Sequence, residues 1–503
     1  MRVNYPETII RKSKGINASE EYLSKLCDET FLSFWCFPNV VRKNGKELCD
    51  LLVVFQNHII IFSDKNCAFP IHDDIKTSWS RWYKKTVSSA AKQIFGAERR
   101  LLDLCEPVFL DKSNSQPFPF QIPKKDDAII HRVVVAQGAS EKFRQEYGGT
   151  GSLTLDSTIL GNLHFDSSRC TPFSIGHVDT SKRFVHVFDD VTLGTIMKTL
   201  DTISDFTEYL TKKEQFFSNY SNITVLGEEN LLASYLTNVD ENNEHWFLSD
   251  PADKSTNLII LDDLWEAFNK NEMRQNQIRA NKISYLWDEL IEKFTYHITH
   301  GTSEYISHPD LKEQEKMLRF LTKENRTRRR MLAESFFEAR QQLTSQNSQI
   351  TRTILPNSSN DPYYVFLILS YNKSNGTYDE YREFRRALLN DKLSLIKRSY
   401  PDARDIIGIA IDAVSNEGCS EDIAYLDARV WTAEDIVETN KIHEELKHLG
   451  LIGSKRNMFT KTIDEYPVTD AKSQKSRLKG RNRNEPCPCG SGKKYKLCCM
   501  RQN

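Results

Sequence analysis

The first strong pattern along the chain is the amphipathic run "NASEEYLSKLCDETFLSFW". Leu23, Leu26, Phe31, Phe34 and Trp35 recur near one helical face, and Asn17 or Ser19 precedes them as an N-cap, so a helix is predicted there. The next pattern is different. "LCDLLVVF" is an apolar strand, "QNH" a tight turn and "IIIFSDK" a second strand, which together predict a hairpin. A second helix, "SWSRWYKKTVSSAAKQIFGAERRLLDL", and a strand, "AIIHRVVVAQ", complete a first region over residues 1–140. Residues 141–307 mix strands such as "RFVHVFD" with helices such as "SYLWDELIEKF". Residues 308–347 read as one long charged helix, with Leu311, Met317, Leu318, Leu321, Met331, Leu332, Phe336 and Phe337 at helical spacing. Its "RTRRR" cluster (326–330) reads as a solvated face. Residues 348–465 alternate strand and helix and predict a small α/β unit. The fold class expected is therefore α/β (α+β) and multidomain.

Composition narrows the class. A length of 503 residues suggests about three domains. Sixty-eight basic residues against sixty-nine acidic ones give a net charge of −1, so any nucleic-acid contact must come from a local basic patch. No apolar run reaches the ~20 residues a membrane helix needs, and the start lacks an apolar signal-peptide core. A cytoplasmic protein without membrane contact is expected, and its eleven cysteines should be reduced or metal-bound.

Four of those cysteines crowd the end, "NEPCPCGSGKKYKLCC". Cys487 and Cys489, then Cys498 and Cys499, form two pairs joined by a short glycine-containing reversal. That is what a tetrahedral zinc site needs from a segment too short to build a core. This stretch, 485–503, closely resembles the SEC-C motif, the zinc-binding tail known from the preprotein translocase ATPase SecA and carried by many unrelated bacterial proteins. The resemblance implies a Zn2+ ion on Cys487, Cys489, Cys498 and Cys499, where many members use histidine at the last position. It also implies contact with a protein or the ribosome. The preceding linker, 466–484, holds six basic residues and no acid between Lys472 and Arg483. It reads as a flexible tether.

Two groupings in the middle, His297 with His300 in "HITH" and His186 with Asp189 and Asp190 in "HVFDD", read as structural. Candidate chemistry lies in the first region. A hairpin turning at Gln56–His58 brings Asp50, at the entry of one strand, beside Lys65, at the exit of the other. Helix, strand, hairpin strand, helix, strand is the order of the PD-(D/E)xK nuclease core, and the region resembles its Mrr-like and nuclease-related (NERD-type) branches. The resemblance implies that Asp50 is a magnesium-binding carboxylate, Lys65 the lysine, Glu20 (with Glu21 as fallback) the acid from the first helix, and Gln93 the glutamine of the second.

In that family the carboxylates hold one or two Mg2+ or Mn2+ ions that activate water against a phosphodiester, and the lysine steadies the developing charge. The sequence departs from the pattern at Ser63, where the family has an acid; Asp64 replaces it only if a bulge re-aims the strand. Arg81, Lys84, Lys85, Lys92, Arg99 and Arg100 on the second helix, with Trp79 and Trp82, suggest a surface for a phosphate backbone and stacked bases. The function implied is a metal-dependent nuclease-like protein acting on DNA or RNA, in the context of defence against foreign nucleic acid. The alternative is a non-catalytic adaptor built on a degenerate nuclease-like domain.

Overall fold

A computed structural model describes residues 10–220, 222–239, 244–247, 257–302, 310–343, 349–372, 374, 376–413 and 420–452. The fold is mixed α/β with several sheets, as the pattern predicted.

The first helix is Ala18–Phe31, and Asn17 caps it by accepting from the Ser19 and Glu20 amides. It stops before Trp35 because Leu32 adopts a left-handed φ of 68°, which turns Phe34 and Trp35 into the core on a short 3-10 turn. Strands Leu51–Phe55 and His58–Asn66 form the predicted hairpin, whose residues are almost all buried. Cys36–Pro38 pairs antiparallel to the first of them, and Ile129–Gln137 runs parallel to the second. A fifth strand, His186–Phe188, joins in parallel from well beyond residue 140. The first region therefore completes its sheet with a residue segment that pattern reading placed in the next one. The "HVFDD" motif is this strand and its exit. Asp189 accepts from the Leu153, Val191 and Thr192 amides and acts as a buried brace.

The second helix begins at Ile75 and stays helical to Asp103, with two π-helical turns, Lys84–Ser88 and Arg99–Asp103. In the first of these the Thr86 hydroxyl donates to the Trp82 carbonyl at 2.7 Å, a side-chain intrusion of the kind that loosens a helix.

The stretch 308–347 holds two helices, not one: Leu311–Thr322 and Arg326–Gln341, the second capped by Asn325. Its arginines are not a solvated face. Arg326, Arg328, Arg329 and Arg330 are all buried. Arg329 bonds Asp288 at 2.7 Å, and Arg326 bonds both Asp201 (2.8 Å) and Asp288 (2.7 Å), tying two helices and the loop that holds Asp201 together. Periodicity could not see this, because the partners lie 38 to 125 residues away in sequence.

Residues 349–452 hold an α/β layer. Its strands run in the order Gln349–Ile354, Tyr363–Leu369, Asp405–Asp412, Glu421–Asp427, and the central two are parallel across the helix Tyr378–Ser399. Asp405–Asp412 is buried at every position, as expected of a strand covered on both faces. One face packs on that helix through Leu388, Leu389 and Leu393. The other joins the core continuous with the first sheet through Tyr364, Phe366 and Ile409.

Buried histidines give the fold an acid-sensitive element. His164 is fully buried; its Nε2 accepts from the Gly176 amide at 2.8 Å, and its Nδ1 lies 2.8 Å from the Gly161 carbonyl. Burial lowers its pKa to about 4, against the pull of that carbonyl. Above the unfolded value of about 6.5 it has no effect on stability. Below it, the unfolded chain takes up the proton first, so stability falls as pH drops toward 4. A His164→Gln variant is expected to flatten the acid limb of a urea-midpoint titration between those values, by up to about 1.4 kcal/mol per pH unit.

Candidate phosphodiester site at the open end of the hairpin

Register puts Asp50 where it was expected. Leu51 pairs with Phe62, so Asp50 stands opposite Ser63 at the open end of the hairpin. Lys65 reaches it, with Nζ 3.9 Å from Asp50 Oδ2. The Ser63 hydroxyl lies between the hairpin and the second helix, 3.2 Å from Asp50 Oδ2 and 3.0 Å from Gln93 Oε1. Asp50, Ser63, Lys65 and Gln93 thus form one cluster. Gln93 is exposed and Lys65 about one-quarter exposed, so the cluster opens to solvent.

Two predicted residues do not join it as expected. Ser63, Asp64 and Lys65 pair without a shift to Val134, Val135 and Ala136, so there is no bulge. Strand alternation then sends Asp64 to the opposite face. There it accepts from the Ser19 hydroxyl, and from Gln137 Nε2 at 3.1 Å. Burial pushes its carboxyl up to about 6, with the charges of Asp50 and Glu20 adding to the effect and the Ser19 hydrogen bond opposing it. Its backbone amide, by contrast, donates to Asp50 Oδ2 at 2.5 Å. Glu20 lies close enough to feel these charges, but its carboxylate folds back on its own helix start, accepting from the Ile16 amide (2.8 Å) and Asn17 Nδ2 (2.6 Å). Glu21 is exposed.

Sequence reasoning missed Glu47. Glu47 as a whole is exposed, yet desolvation of its carboxyl, hydrogen bonding with Asp50, and the charges of Asp50 and Glu20 push it up to about 7. Glu47 sits in the irregular stretch before the strand, where no periodicity marks it. Its only signal was an acid three residues from Asp50.

Among the described residues no three His, Cys, Asp or Glu side chains stand where they could hold one metal ion. Asp50 Oδ2 is already shared by the Asp64 amide, Ser63 and Lys65, Asp64 faces away, and Glu20 is turned aside. The carboxylate cage that Mg2+ or Mn2+ requires does not fit the residues as they stand.

On the second helix, Arg81, Lys84, Lys85, Lys92 and Arg99 are exposed and Arg100 is half-buried against Glu106. Lys84 lies over the Phe165 ring at 4.8 Å. The tryptophans do not form a stacking surface. Trp79 and Trp82 are buried against each other, 5.2 Å between rings, and donate to the His164 and Cys67 carbonyls. They are core residues because the helix's inner face needs large apolar groups against the sheet.

The described cysteines Cys27, Cys36, Cys49, Cys67, Cys105 and Cys170 are free thiols. No described helix is long and apolar enough to cross a membrane. The zinc-ligand candidates Cys487, Cys489, Cys498 and Cys499, like the basic linker, lie outside the described residues.

Comparison with known proteins reaches the tail alone. The family described as "SEC-C motif" matches residues 483–501. The protein translocase subunit SecA of Trichlorobacter lovleyi is 46% identical over 65 residues, 12% of this chain and 7% of that protein. SecA of Geobacter sp. (strain M21) is 33% identical over 82 residues, 15% and 8% respectively, and SecA of Caldicellulosiruptor saccharolyticus is 51% identical over 47 residues, 9% and 6%. The chain thus spans less than a tenth of the length of these relatives. No solved structure matches. The C-terminal end of this protein is a SEC-C motif similar to the corresponding segment of SecA.

Proposed function

We propose that this protein acts on nucleic acid through a nuclease-like N-terminal unit, with the open end of the hairpin as its phosphodiester site and the SEC-C tail as a docking knob. The observation that carries the reading is the convergence of Asp50, Lys65 and Gln93 around Ser63, in a unit built in the order helix, strand, hairpin, helix, parallel strand. Lys65 would place its ammonium against a phosphate oxygen. Gln93 accepts from Ser63 through Oε1, which leaves its NH2 to donate to the same group. Glu47, pushed up to about 7 beside Asp50, has the proton affinity of a group that exchanges a proton at neutral pH. The exposed basic face of the second helix would hold the backbone, giving affinity that falls steeply with salt.

The test is incubation of the full chain with mixed DNA and RNA, with and without Mg2+ or Mn2+, beside Asp50→Asn and Lys65→Ala. Cleavage lost in both variants supports the reading; processing unchanged in both overturns it. A second reading, a domain that binds nucleic acid without cutting it, is favoured by Ser63 at the acidic position and by Asp64 facing away. Salt-sensitive binding with no product under any metal would select it.

The four tail thiols, in C-x-C and C-C pairs, are a donor set suited to tetrahedral zinc. Metal analysis is expected to find about one zinc per chain. Cys498→Ser combined with Cys499→Ser should release it without changing the thermal unfolding of the rest. Full zinc retention in the double variant rejects the assignment.

A further inference from the structure

Away from the hairpin's open end, a groove of about 640 Å3 runs between the closed end of the same hairpin and the C-terminal sheet. Five basic side chains reach it from three distant parts of the chain: Lys124, then Lys316, Arg319 and Lys323, then Arg429. The middle three are spaced i, i+3, i+7 on the helix Leu311–Thr322 and its C-cap, so they form one stripe along the wall. Two acids, Asp127 and Asp405, also line the groove. Amide side chains also line the groove: Gln56 and Asn57 from the hairpin turn, Gln121, and Asn360, whose backbone carbonyl lies 3.4 Å from Lys323 Nζ.

The basic groups have protein partners, but weak ones. Lys316 lies 3.5 Å from Asp427, Arg319 3.4 Å from Glu315 and Lys323 3.2 Å from Asp361, and these three side chains are 24% to 33% exposed. Each of these pairs is single and reached by solvent, which weakens it. Arg429 is held more closely, 2.9 Å from Asp405 and 2.8 Å from Asp427, yet is itself half exposed. Lys124 is exposed. A ligand carrying several phosphates can therefore take over these cations at small cost, and amides can bond phosphate oxygens or base edges.

We infer that this groove holds the backbone of a nucleic-acid strand, as a second contact separate from the hairpin's open end. The inference rests on the proposed action on nucleic acid. The two contacts lie at opposite ends of the hairpin, about 20 Å apart by strand rise. A strand crossing both would be fixed in direction relative to Asp50 and Lys65.

The test is fluorescence anisotropy of the full chain with labelled single-stranded DNA and RNA across a salt series. Lys316→Glu with Arg319→Glu is expected to weaken binding on the order of 10-fold at low salt, and to flatten the log–log salt slope by about 1.4, two contacts' worth for a single strand. Lys124→Glu, which disturbs no ion pair among the described residues, is expected to act in the same direction with half the change in slope. Wild-type affinity and slope in both variants overturn the inference, as does a wild-type chain that binds no strand, which would point to a protein occupant. Failure of the hairpin reading looks different: groove variants lose affinity while Asp50→Asn and Lys65→Ala change neither binding nor processing.

Discussion

Arg329→Met is expected to lower the unfolding free energy by about 3–5 kcal/mol, the cost of breaking a buried charge pair by removing one partner. Arg329 has no exposed surface, and each of its three guanidinium nitrogens donates a hydrogen bond. It donates to Asp288 Oδ1 (2.7 Å), to the Thr322 carbonyl (2.6 Å) and, through Nε, to the Glu324 carbonyl (2.9 Å). The last two carbonyls lie at the break between the two helices of 308–347, where helix ends leave acceptors without internal partners. Methionine keeps the stem's packing but leaves two carbonyls and half of a buried carboxylate unpaired. Arg326 cannot compensate, because it already serves Asp201, Ser284 and the other Asp288 oxygen. Burial pushes Asp201 up even with that arginine beside it, a sign of how strongly the site penalises charge. Urea denaturation checks the loss. Removing both partners, Arg329→Met with Asp288→Leu, should cost less than the sum of the single changes, because no orphaned charge remains. Additive losses would reject the coupling.

The second large effect concerns Asp50. A purely catalytic carboxylate could be truncated without harm to the fold, but Asp50 is 7% exposed and accepts from the Asp64 amide at 2.5 Å. Asp50→Ala should therefore cost about 1–3 kcal/mol through the buried amide left unpaired, besides any loss of activity. Asp50→Asn retains an acceptor for that amide and should hold stability nearer the wild type while removing the charge beside Lys65. Loss of nucleic-acid processing in Asp50→Asn, with a wild-type melting curve, separates chemistry from folding. Ser63→Asp sets a third carboxyl group between Asp50 and Gln93. If a missing acid limits metal binding, calorimetry with Mn2+ should show tighter binding than in the wild type. Unchanged binding would place the defect in the turned-away Glu20 and Asp64 instead. Equal processing by the wild type, Asp50→Asn and Lys65→Ala would remove the phosphodiester reading.

Much of the first region was legible because its signals are local. Alternation and apolar runs mark the hairpin, and a hairpin's pairing fixes which residues meet at its open end, so Asp50 and Lys65 could be placed together from spacing, while Gln93 was named only through the nuclease resemblance. Asp64 shows the limit of that reasoning. Its departure from the cluster follows from strand alternation, but only the unbroken pairing to Ile129–Gln137 excludes the bulge that would have re-aimed it. The tryptophans of the second helix show another limit. Trp79 and Trp82 suit a stacking surface and a core equally well until the sheet and Phe173 are packed against them.

The sequence by itself determined the element order from Ala18 to Gln137, the hairpin register and the four-thiol tail, because each depends on residues a few positions apart. Only the tertiary structure decided the fate of groups whose partners are far away. It buried Arg326 and Arg329 of "RTRRR" in ion pairs with Asp201 and Asp288, brought the strand His186–Phe188 into the first sheet, set Glu47 beside Asp50, and gathered Lys124, Lys316, Arg319, Lys323 and Arg429 along one groove. The physical reason is common to all four. Whether a charge is solvated, paired or poised depends on the dielectric and partners that packing supplies, and no periodicity in the chain encodes a partner a hundred residues away.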